Sequence, residues 1–205
     1  MSAAQKYSRI YTRVDEYARC NLSLKRYLHS LRVMETAVEL SREFAERYGV
    51  SEEEARIAGI AHDIAREWDT EQLIVAAGRD NVPVTEEELE MPKLLHGKAA
   101  AVMLREEFGE LRESVLSAVR WHTYGHPDMG ALGMILYIAD YIEPGRDHVD
   151  EEYCRRVRSR ESLEEMVVLV LSDEFSHLRL KRRRIVESSR MLYDALTKSS
   201  VRSSV

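Results

Sequence analysis

The sequence predicts an all-α domain, and three observations carry that prediction. Gly and Pro are scarce, nine and four in 205 residues, so long stretches are free of helix breakers. Glu, Arg, Leu, Ala and Met fill those stretches, and no alternating β-branched run interrupts them. At Ser51/Glu54, Thr85/Glu88 and Ser162/Glu165 a hydroxyl residue precedes a Glu by three positions, the spacing at which the two side chains satisfy free amides at a helix start.

The elements follow in order. After Ser23, Leu24, Tyr27, Leu28, Leu31, Met34 and Val38 form one helical stripe, and Val33, Ala37, Leu40 and Phe44 form a second beside it. So wide an apolar arc predicts a largely buried helix, ended by Gly49, which tolerates the left-handed turn after a last residue. Ser51 opens the next helix, where Ala55, Ala58, Gly59 and Ala61 are small enough to let neighbours approach closely. Further helices are expected at 70–78, from Thr85, and at 97–108, 111–122, 130–142, 162–180 and 188–197. These make one domain over residues 1–196. The small, polar residues 197–205 bury little surface and are expected to stay mobile.

Composition narrows the function classes. A chain of this length buries its own core, so a metal, if present, serves function and not folding. Cys20 and Cys154 form no Cys-x-x-Cys pair, which argues against a thiolate zinc site and a disulfide framework and fits a cytoplasmic setting. No segment offers the ~20 consecutive apolar residues a bilayer crossing needs, so no membrane partner is expected. The net charge of −6 disfavours nucleic acid as a partner; the Lys181-Arg182-Arg183-Arg184 run is read as a solvated helix end. Self-association is left open.

Seven histidines are ordinary for this length, but their placement is not. His62-Asp63 sits near a helix end among small and apolar residues, where an ionised carboxylate is costly unless paired or coordinated. A solvent-exposed Asp at a helix C-terminus is the other reading. His29 lies one turn before Val33 on a buried stripe, His96 precedes Gly97 at a helix start, His122 ends the run 115–121, and Asp140 is embedded in Ile135–Ile142. Singly, each reads as a satisfied core polar group. Together they supply four imidazoles and two carboxylates without a cysteine.

This order resembles the HD-domain phosphohydrolase superfamily, whose minimal pattern is a His, a His-Asp pair and a later Asp, all on helices. The resemblance implies a single HD-domain helical bundle with His29, His62, Asp63 and Asp140 as metal ligands. His96 and His122 would fill part of a second coordination sphere. A carboxylate bridges two cations and an imidazole does not, so Asp63 is the expected link in a binuclear site. Nitrogen and oxygen ligands suit iron, manganese, cobalt or zinc. The family tips the expectation to two iron ions.

Within the superfamily the chain resembles the YqeK family of symmetrical diadenosine tetraphosphate hydrolases. The likeness lies in Gly59-Ile60-Ala61-His62-Asp63-Ile64-Ala65-Arg66, in Leu94-Leu95-His96-Gly97, and above all in Tyr137-Ile138-Ala139-Asp140-Tyr141-Ile142-Glu143-Pro144-Gly145-Arg146. It implies a nucleotide substrate, cleaved centrally to two ADP by a metal-activated water. Asp63 and Arg66 are the expected catalytic residues. Arg66, Lys98, Thr123, His126 and Arg146 are the expected substrate contacts, with His126 as a cationic phosphate contact or a proton donor. His148 and His177 are read as non-ligands. Two departures stand out: Tyr124 replaces the Thr that usually follows Thr123, and Arg182-Arg183 stands where a His-Pro step is expected before Ile185-Val186-Glu187. If that last segment shapes the nucleoside pocket, base preference shifts with it.

The competing readings are an HD phosphohydrolase of a deoxynucleotide, cyclic dinucleotide or guanosine alarmone, a nucleic-acid-binding module built on Lys181–Arg184, and a silent metal-stabilised regulator.

Overall fold

The computed structural model describes residues 3–109, 111–146 and 149–202, and among these there are helices and no strand. The helices are α1 (Ala3–Asn21), α2 (Leu24–Glu43), α3 (Ala45–Tyr48), α4 (Glu52–Ala61), α5 (Thr70–Ala77), α6 (Glu86–Glu90), α7 (His96–Met103), α8 (Glu113–Trp121), α9 (Gly130–Ile142), α10 (Glu151–Arg158), α11 (Leu163–Leu180) and α12 (Glu187–Arg202). Short 3-10 turns cover Pro92–Leu95 and Pro127–Met129, and a π turn covers Leu104–Phe108. None of the described helices is long and apolar enough to cross a membrane.

The predicted helix starts are present with different completeness. Thr85 and Glu88 make the full reciprocal box, and so do Asp69 and Gln72, a pair with an Asp cap and a Gln in place of the hydroxyl and Glu. Ser51 and Ser162 each accept from the backbone N–H three residues on, but their Glu partners turn elsewhere: Glu54 to Tyr7, Ser114 and Arg112, and Glu165 to the amide of Glu161. Gly49 ends α3 in the left-handed conformation, at φ 64°.

Two helices were not individually expected. α1 buries the stripe Ile10, Val14 and Ala18 against α4, with Tyr7, Tyr11 and Tyr17 partly buried beside it, and α10 buries Val157 with Tyr153 and Cys154 partly buried. α12 continues past residue 197 to Arg202; residues 203–205 of the expected mobile tail, and His148, lie outside the described residues.

α2 runs through the middle, packed against α4 and α9, while α8 packs on α7 and α9. Two glycines set the closest crossings. A Cβ on Gly59 would lie 2.4 Å from Met34 Cα, so α4 rests directly on the α2 backbone. A Cβ on Gly97 would lie 2.5 Å from the carbonyl oxygen of Arg120, so α7 rests on the end of α8. The first contact brings the C-terminal end of α4 beside His29, and the second brings the start of α7 beside the end of α8.

Candidate metal centre

The four expected histidines meet at these crossings, each held by its Nδ1. At the C-terminal end of α4, His62 Nδ1–H donates to the carbonyl of Gly59 at 2.7 Å; at the end of α8, His122 Nδ1–H donates to Val119 at 2.7 Å. His96, closing the 3-10 turn before α7, donates likewise to Lys93 at 2.6 Å. Each bond uses a carbonyl left free by a helix or turn end, three residues back. His29, in the interior of α2, donates its Nδ1–H to Glu143 Oε1 at 3.0 Å. Glu143 is itself held by Arg32 at 2.5 Å and by the Gly145 amide at 2.5 Å.

With every Nδ1 carrying the proton, each neutral ring turns an Nε2 lone pair inward. His29 and His62 face each other at 3.2 Å between Nε2 atoms, and His96 and His122 at 3.0 Å. Neither pair then has a hydrogen to share, and two lone pairs at such distances repel unless a cation lies between them.

Asp63 supplies that negative charge to both pairs. Its Oδ2 lies 3.3 Å from His62 Nε2 and 3.6 Å from His29 Nε2, while its Oδ1 lies 3.2 Å from His96 Nε2 and 3.7 Å from His122 Nε2. Asp140 Oδ1 joins the first pair, 3.1 Å from His29 Nε2 and 3.8 Å from His62 Nε2. The sets His29/His62/Asp63, Asp63/His96/His122 and His62/His122/Asp140 each bring their ligand atoms within 4.8 Å of one another. A buried N/O donor set without sulfur, fixed by second partners, fits divalent metal ions.

The electrostatics point the same way. Burial holds His122 down to about 4, so it is neutral and able to ligate at pH 7. Burial would also lower His62, but the Asp63 carboxylate outweighs it and the net shift is upward: the pocket is negative enough to favour a positive charge beside this ring. Burial opposes ionisation of Asp63 and Asp140; the surrounding imidazoles, and Arg146 for Asp140, hold both carboxyls below the usual range.

Three expected contacts need correction. The Arg66 guanidinium approaches His96 from the Nδ1 side, at 3.2 Å, and reaches the Lys93 carbonyl at 3.5 Å, whereas the inward atom of that ring is Nε2. Arg66 therefore shares the Lys93 carbonyl with His96 on the side of the ring away from the cluster, and here it does not face the inward Nε2 atoms. Lys98 is 1% exposed, its ammonium given to Glu88 at 2.7 Å and the Pro83 carbonyl at 2.8 Å, so a phosphate could reach it only by breaking a buried ion pair. His126 is placed against the cationic reading: burial lowers its pKa, and its Nδ1 accepts the Asp128 N–H at 3.0 Å, which leaves its Nε2–H as a donor. The ring stacks on Trp121, centroids 4.1 Å apart and planes 14° apart.

The remaining expected contacts sit over the cluster. A cavity of about 200 Å³ opens on His122 and Asp140, walled by Thr123, Arg146, Tyr137 and Glu174. Thr123 Oγ1 is 3.2 Å from His96 Nε2, and Arg146 pairs with Asp140. Sequence reasoning missed Arg26, which reaches Asp63 Oδ2 at 2.7 Å across 37 residues, and the half-buried pair in which Tyr137 donates to Glu174 at 2.5 Å. Glu143 stood in the quoted closing motif and could have been found there. His177 is exposed in α11, away from the cluster. A larger cavity of about 560 Å³, between α1 and the Phe108 turn, shares no residue with the cluster.

Residues 26–145 match the HD domain family, a span that starts at Arg26 and closes beyond Asp140. The chain belongs to the HD-domain family. Its His-Asp pair is His62-Asp63, at the junction of the two histidine pairs. Among its relatives is the symmetrical bis(5'-nucleosyl)-tetraphosphatase of Bacillus subtilis, 31% identical over 87% of this chain and 93% of that protein. The protein of the same name from Halalkalibacterium halodurans is 32% identical over 86% of this chain and 91% of its own. This likeness puts the HD domain in the YqeK branch that its motifs resemble. A crystal structure described as a predicted HD superfamily hydrolase involved in NAD metabolism, from Clostridium acetobutylicum, superposes with a TM-score of 0.82 at 31% identity, covering 92% of this chain and 97% of that one.

Proposed function

We propose that this chain hydrolyses dinucleoside tetraphosphates, cleaving diadenosine tetraphosphate and water to two ADP. The observation that carries the reading is the division of Asp63, one oxygen toward His29 and His62 and the other toward His96 and His122. That division supports a binuclear centre with His29, His62, Asp63 and Asp140 at one ion and Asp63, His96 and His122 at the other. The two relatives named as symmetrical tetraphosphatases support the substrate.

Divalent ions held there supply Lewis-acid charge for the phosphoryl oxygens and raise the acidity of a water nucleophile. The ligand chemistry accepts iron, manganese, cobalt or zinc, with iron as the first candidate. The chain's own residues do the rest. Glu143 and the three carbonyls hold each imidazole in the tautomer that offers Nε2. Arg146 stands at the mouth of the small cavity and neutralises charge on the tetraphosphate, with Thr123 offering a hydroxyl beside it. Arg26, already on Asp63, balances the anionic cluster from the opposite set of contacts. Both cysteines are free, which supports a reducing cytoplasmic setting.

The test is product analysis. Protein loaded with Fe²⁺ or Mn²⁺ is expected to convert diadenosine tetraphosphate to ADP alone. Formation of ATP with AMP, or cleavage only of mononucleotides, contradicts the reading.

A further inference from the structure

A second cavity adjoins the metal centre, and its chemistry is opposite to that of the first. It measures about 520 Å³, within the range of small-molecule sites, and lies between the start of α6, the end of α8 and the start of α12. The two cavities share no lining residue but lie on either side of one strip of chain: His122 and Thr123 face the metal centre, while Trp121, Tyr124 and His126 face this space. The segment bearing Val186 and Ser188 is fastened to that strip, since Ser188 donates to the Gly125 carbonyl and Ser189 to the Tyr124 carbonyl, both at 2.6 Å.

Charge decides what such a site can take. Glu86, Glu87 and Glu187 line it, and its two cations are already engaged, Lys98 by Glu88 and Arg184 by Glu87 and Glu90. A polyphosphate is repelled there. What the walls do offer is flat aromatic surface from the Trp121–His126 stack, apolar sides from Val82, Pro83, Val186 and Met191, and acceptor oxygens for an amino group. His126 Nδ1 is spent on Asp128, so its Nε2 carries a hydrogen for a ring-nitrogen acceptor.

We propose that this cavity seats the adenine base at one end of the dinucleotide, against the wall made by the Trp121–His126 pair. The proposal rests on the hydrolase reading for its ligand, and on the charge contrast between the two cavities for its direction. The phosphates lie over Arg146 and Thr123, and the ribose crosses the strip at Thr123–Tyr124. The departure at Arg182–Glu187 falls beside this wall, so it acts on base preference and leaves the metal ligands untouched.

The test pairs a binding readout with kinetics. The chain has two tryptophans, so Trp68→Phe leaves Trp121 as the reporter. Adenosine is expected to change its fluorescence without metal, and inorganic tripolyphosphate is not. Met191 is 50% exposed, so Met191→Trp can fill the cavity without entering the core. Met191→Trp and His126→Ala are each expected to raise KM for diadenosine tetraphosphate about tenfold or more with little change in kcat and unchanged helical signal. Wild-type cleavage with KM unmoved in both variants, or adenosine without effect on Trp121, overturns the base site and leaves the hydrolase reading standing. A Trp121 response to adenosine that His126→Ala abolishes, in protein that does not cleave the dinucleotide, supports the base site while the hydrolase reading fails.

Discussion

Glu143 Oε1 accepts the Nδ1–H of His29 at 3.0 Å, joining the end of α9 to the middle of α2 across 114 residues. The same helix carries Asp140, which faces the other nitrogen of that ring at 3.1 Å. One turn of α9 thus orients His29 from one edge and meets its ligand atom from the other. Replacing Glu143 by Gln keeps the shape and removes the charge. Metal affinity is expected to fall about 10-fold or more, measured by calorimetric titration of metal-free protein, with helical content retained.

Gly59 allows α4 to lie on the α2 backbone. Gly59→Ala forces a methyl into Met34, already 2.4 Å from the ideal Cβ position. The expected result is a melting temperature lower by roughly 3–10 °C and weaker metal binding, because His62 moves away from His29. Calorimetry and metal titration read the two effects separately.

Arg146 pairs with Asp140 and borders the small cavity, but it is not among the ligands. Arg146→Ala is expected to lower kcat/KM for diadenosine tetraphosphate by about 10–100-fold, while elemental analysis finds the metal content unchanged. Loss of the metal together with activity would make Arg146 a support for Asp140 and not a phosphate contact.

Glu88 is buried between Lys98 at 2.7 Å and the Tyr124 hydroxyl at 2.5 Å. Burial opposes its ionisation, but Lys98 and Tyr124 outweigh that and hold its pKa below the usual value. A carboxyl lowered on folding contributes stability that is complete above its unfolded pKa of about 4.3 and is lost as the pH falls through its lower folded value. Glu88→Gln should therefore flatten the acid side of a plot of urea midpoint against pH, relative to wild type. Lys98→Met leaves the carboxylate buried without its cation and is expected to cost about 3–5 kcal/mol at pH 7, a loss that the double variant with Glu88→Gln partly restores.

The cluster of six side chains was legible in the sequence because each member sits at a recognisable place: His62 and His122 close apolar runs, His96 opens one, and Asp140 is a lone charge in a buried helix. The small residues of α4 announced the close crossing at Gly59. What stayed hidden depends on distant pairings. Arg26 finds Asp63, Lys98 finds Glu88, and His126 finds the Trp121 face only once the chain has folded. Arg66, Lys98 and His126 lie near the cluster in sequence, yet proximity in sequence does not say which edge of an imidazole a guanidinium meets, whether a lysine is already paired, or which nitrogen of a ring is already engaged. α1 and α10 are polar over most of their surface, and their apolar stripes of Tyr7, Ile10, Tyr11, Val14 and Ala18, and of Tyr153, Cys154 and Val157, pack on the core only at its edge.

Elemental analysis of anaerobically purified wild-type protein and of Asp63→Ala tests the bridging carboxylate most directly. The account predicts two divalent ions per wild-type chain, fewer than one in the variant, and little change in far-ultraviolet helical signal between them. A wild-type chain that binds no divalent ion, or an Asp63→Ala chain that still holds two, contradicts it.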